Sequence, residues 1–83
     1  MKATINMNGN PKEDFVEAYV ALIKARDAVN AAAQKIMGDV LNGRNYTSDD
    51  DLIADRRRFQ KMLQDINAMI GTMQSEIVNV LDV

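Results

Sequence analysis

The sequence predicts an all-α fold: a long antiparallel two-helix hairpin, with a short N-terminal strand or extended arm, dimerising into a four-helix bundle. Three observations point there. Apolar residues recur in alternating steps of four and three over two long stretches. A single turn-coded segment, 42–48, separates them. The 83 residues contain no cysteine and no histidine, so neither disulfides nor a thiolate or imidazole metal site can staple so small a domain. Oligomerisation is the remaining source of stability.

In chain order, residues 1–9 form the arm. Ala3, Ile5 and Met7 alternate with Lys2, Thr4 and Asn6, which is the period of a half-buried strand. The chain offers no second strand, so this segment either packs on the helices or pairs with its copy in a dimer. Asn8 and Gly9 then turn the chain.

The first helix is expected over 10–41. Asn10 can cap it, Pro11 suits the first helical position, and Glu13 can reach back as in a capping box. Its seam is Phe15, Tyr19, Leu22, Val29, Ala33, Ile36 and Val40, with Arg26 in the one slot the pattern would fill with an apolar residue. Alanines crowd the middle, where small side chains let another helix approach.

The connection 42–48 combines Asn42-Gly43, expected to supply positive φ past the helix end, with Thr47 or Ser48 as the next N-cap. The second helix is expected over 49–81. Asp49, Asp50 and Asp51 fill its first turn, where the helix dipole favours carboxylates. Its seam reads Leu52, Phe59, Leu63, Ile66, Ile70, Met73, Ile77 and Val80, again with one arginine, Arg56, in a seam slot. Folding about the turn opposes residues whose numbers sum to about 90, setting Arg26 near Gln64 and Asp65 and Arg56 near Gln34. On that register Arg26 pairs with Asp65 or Asp27. A lone hairpin would leave Met62, Met69, Val16, Val20 and Ile23 exposed in rows, which a dimer covers.

Composition narrows the function classes. The formal net charge of -2 argues against direct DNA binding. No apolar run reaches the roughly 20 residues of a membrane span, and the start of the chain is not a signal peptide, so a soluble intracellular protein is expected. Asp51 and Asp55 share a helix face and could hold Mg²⁺, but a dipole-matched solvated first turn explains the aspartates more simply. Ser48, Thr47 and Ser75 have no histidine to activate them. The chain is therefore read as non-enzymatic, without a cofactor or metal. Arg44 can fork onto phosphate, Tyr46 can stack on a base and Asn45 can read a base edge; Arg57 and Lys61 add a basic row on the second helix. These five are the candidate ligand-binding residues. Asp49, Asp50 and Asp51 are the candidate partner-binding residues. The alternative for the turn is structural: Arg44 pairs with Asp49 or Asp50, and Tyr46 covers the hairpin end.

Gly43, Arg44, Asn45 and Tyr46, with Lys2-Ala3-Thr4-Ile5 and Gly9-Asn10, carry a resemblance. Over nearly its whole length the chain resembles a family of small phage-encoded accessory proteins with a His-Gly-Arg-Asn-Tyr turn between two long helices; Asn42 stands where that family has the histidine. The resemblance implies a phage origin, a place in the host cytoplasm and a stoichiometric role antagonising a bacterial defence system. That role would be inhibition of a CRISPR effector or sequestration of a cyclic-nucleotide signal, with a host defence protein or a cyclic nucleotide as partner. Residues 42–57 are also similar to the turn and second helix of lambda-type head-completion proteins, which implies virion assembly as the alternative. A small helical regulatory protein is a further one.

Overall fold

The computed structural model describes residues 1–5 and 12–82. Two helices, α1 (Lys12–Lys35) and α2 (Asp49–Leu81), fold into a rod of 60 × 18 × 15 Å. Residues 1–5 have no regular secondary structure, and the Met1 ammonium donates to Glu76 Oε1 at 3.1 Å. The rest of the proposed strand, and the capping residues Asn10 and Pro11, lie outside the described residues.

Between the helices α1 first widens into a π-helical turn, Ile36–Val40, and the chain then makes one 3-10 turn, Gly43–Asn45. The wider turn adds a residue per turn, so the seam slips by one position. Val40, expected inside, is half exposed, and Leu41 is buried in its place. The positive φ expected past the helix end is also corrected. Among the described residues no glycine has positive φ. Asn42 organises this end instead: its Nδ2 donates to the Gly38 carbonyl at 3.0 Å and its Oδ1 accepts from the Arg44 N–H at 3.1 Å.

The register differs from the expected one. Asn67 meets Asn30, the Arg26 guanidinium lies 3.5 Å from where a Cβ on Gly71 would sit, and Arg56 reaches Leu41. Facing residues therefore sum to 97, not 90. The cause is the connector. Residues 41–48 do not turn tightly but run back along the first two turns of α2, which project beyond the end of α1. Arg26 consequently sits far from Asp65, which pairs with Lys61 instead, and among the described residues no carboxylate pairs with Arg26. Its Nε is buried without a hydrogen-bond partner.

The shift also changes which side chains fill the seam. Phe15, Tyr19, Leu22 and Val29 are half-buried along α1, and Ala33 is buried. On α2 the closed positions are Ile70, Gln74, Ile77 and Val80, with Asn67 half-buried. Ile66 and Met73, expected in the seam, are exposed. The middle of the hairpin is thus a polar layer of Arg26, Asn30, Asn67 and Gln74. No large side chain among the described residues is fully enclosed, so the two helices alone do not close a dry core.

Candidate functional site

The connector end of the rod holds the sequence-predicted site residues, and its chemistry starts from two unsatisfied helix ends. The last carbonyls of the π turn need donors. Asn45 Nδ2 supplies them, donating to the Asp39 carbonyl at 3.1 Å and the Val40 carbonyl at 2.9 Å. Arg56, at the end of the second turn of α2, donates from Nη1 to the Leu41 carbonyl at 2.5 Å. At the start of α2, Ser48 is extended and its hydroxyl oxygen accepts from the Asp51 N–H at 3.4 Å. Ser48 therefore takes the cap for which Thr47 and Ser48 were candidates.

Tyr46 ties the connector down. Its hydroxyl donates to Asp55 Oδ2 at 2.7 Å, while Arg58 Nη2 donates to Asp55 Oδ1 at 3.0 Å. The hydrogen bond to Asp55 holds the Tyr46 phenol above its ordinary pKa, and desolvation and the Asp55 charge push the same way.

The five candidate ligand-binding residues are thus unequal. Asn45 and Tyr46 are engaged in holding the connector, and Lys61 pairs with Asp65. Arg44 and Arg57 are exposed, and no ion pair among the described residues uses them. The expected alternative, Arg44 with Asp49 or Asp50, does not form; the backbone N–H of Arg44 is held by Asn42, and its side chain enters no ion pair among the described residues.

Asp49, Asp50 and Asp51 are all exposed in the first turn of α2, and none of the ion pairs among the described residues involves them. The other aspartates near this end behave differently: Asp39 pairs with Lys35, Asp55 with Arg58 and Asp65 with Lys61. The projecting tip thus carries three consecutive carboxylates outside any ion pair among the described residues. Among the described residues no three carboxylates converge on a position that could hold a metal ion, and no helix is long and apolar enough to cross a membrane.

Arg56 has a structural role at this end that sequence reasoning missed. Its only sequence signal is a charged residue in a seam slot two turns from a helix start. Comparison with protein-family models, curated proteins and solved structures finds no match.

Proposed function

We propose that the chain is a phage accessory protein that acts by stoichiometric binding and antagonises a bacterial defence system. Its acidic tip occupies a basic groove of a nucleic-acid-handling effector, as in CRISPR effector inhibition. One observation carries this reading: Asp49, Asp50 and Asp51 present three exposed carboxylates that enter no ion pair among the described residues, on a tip braced by Tyr46, Ser48 and Arg56. A rigid run of negative charge is what a phosphate-binding groove attracts. The resemblance at Gly43, Arg44, Asn45 and Tyr46 supports the phage setting.

The test adds the purified protein to a panel of CRISPR effectors and reads target-DNA binding and cleavage. Inhibition is expected with at least one effector, and Asp49→Asn/Asp50→Asn/Asp51→Asn should abolish it while helix content by circular dichroism stays unchanged. Inhibition that survives the triple substitution, or none across the panel, removes the reading.

Arg44 and Arg57, free of carboxylate partners, favour a second reading in which the connector end sequesters a cyclic nucleotide. Calorimetry with cyclic di- and trinucleotides separates the two, because tip mimicry predicts no heat.

A further inference from the structure

Along the middle of the rod, one side is apolar and exposed. Ala32, Met62 and Ile66 line the same open groove between the helices, of about 240 Å³, floored by Phe59 and Leu63. Helical periodicity continues both walls along the rod. On α1 the wall is Ala18, Ala21, Ala25, Ala28 and Ala32, all exposed. On α2 it is Met62, Ile66, Met69 and Met73, the most exposed being Met69 at 63%. The phase of α2 is what makes this face informative. The helix turns Asn67 and Gln74 into the seam and leaves Ile66 and Met73 outside, an arrangement that is unfavourable unless the outer face is covered as well.

We propose that this face is covered by a second copy of the same chain, related by a two-fold axis running parallel to the helices. Area supports a second copy. The chain exposes 6250 Å², against about 5,000 Å² expected for a folded monomer of this mass. The excess is what one subunit gives up in an obligate dimer, about 1,000 to 2,500 Å² per chain. Shape sets the axis. With facing residues summing to 97, Ala28 lies level with Met69, and Ala25 and Ala32 lie within a residue of the level of Met73 and Ile66. A two-fold parallel to the helices places α1 of one copy against α2 of the other at unchanged height, so each methionine or isoleucine meets an alanine. A two-fold perpendicular to the helices would instead stack alanine on alanine and methionine on methionine.

The face is remote from the acidic tip, so this inference does not depend on the proposed function.

The absence of cysteine makes a direct test possible. Sedimentation equilibrium of the unmodified protein should give twice the chain mass, and a monomer at micromolar concentration overturns the proposal. Ala28→Cys and Met69→Cys, made in separate chains and mixed under oxidation, should give an intersubunit disulfide, whereas neither alone should crosslink. Self-crosslinking of either single variant without the mixed product overturns the parallel axis. Met69→Glu should weaken the dimer by at least about a hundredfold with helix content retained. Ile23→Glu, on the opposite side of α1, should leave the dimer intact; the reverse pattern assigns the interface to the wrong face.

Discussion

Arg56 Nη1 and the Leu41 carbonyl oxygen lie 2.5 Å apart across fifteen residues of chain. This bond joins the last turn of one helix to the second turn of the next, and it holds the connector along α2. A charged donor on a part-buried carbonyl contributes more than an average hydrogen bond. Arg56→Ala is expected to lower the unfolding free energy by about 2 kcal/mol, measured by urea denaturation. Arg56→Lys should recover part of the loss. An unchanged midpoint for the alanine variant would mean that water replaces the guanidinium without cost.

Tyr46 gives the connector a pH dependence. Its hydroxyl donates to Asp55, so the neutral phenol is the form the folded state prefers and its pKa lies above the unfolded value. The associated stability is complete below the unfolded value of about 10 and is lost as pH rises through the folded one. Thermal melts are expected to fall more steeply above pH 10 for the native chain than for Tyr46→Phe. Parallel alkaline slopes would disprove the coupling.

Gly43 sits at negative φ, and a methyl group there would meet nothing within 4 Å. Gly43→Ala should therefore raise stability by about 0.4–1 kcal/mol, because it restricts the unfolded chain without straining the folded one. A clear loss would show that the turn samples positive φ.

Arg26 lies in the polar layer with its Nε buried and unpartnered. Removing an unsatisfied group costs nothing in lost bonds and ends its desolvation penalty. Arg26→Leu is expected to stabilise the protein by about 1 kcal/mol, read from the same urea curves. Destabilisation would reveal a partner for the guanidinium, most simply a carboxylate of a second subunit.

The two helices were legible because their signals are local and repeated. The apolar steps of four and three, the Asp-rich first turn and the Ser48 cap each act within a few residues; the first turn and the cap are found in place, and the steps mark both helices although Val40, Ile66 and Met73 lie outside the seam. The connector was legible only in location. Its course depends on Asn45 reaching back to the carbonyls of Asp39 and Val40, on Tyr46 reaching Asp55 and on Arg56 reaching Leu41, and no short-range pattern announces those bonds. The error of seven in the register sum followed from that one omission, and it carried Arg26 away from Asp65. Val40 and Leu41 exchanged places because a π turn has no sequence period of its own. Of the candidate site, the free carboxylates of Asp49, Asp50 and Asp51 were readable from dipole chemistry. The structural employment of Asn45 and Tyr46 was not, although it accounts for half of the Gly-Arg-Asn-Tyr motif.

The rod dimensions, 60 × 18 × 15 Å, bear on how the molecule moves through solvent. A single hairpin tumbles faster about its long axis than end over end, and it drags more water than a sphere of equal mass. Pairing two hairpins side by side doubles the girth without adding length. Dimerisation should therefore lower the frictional ratio while doubling the mass, so the assembled protein diffuses more like a compact particle than its subunit does.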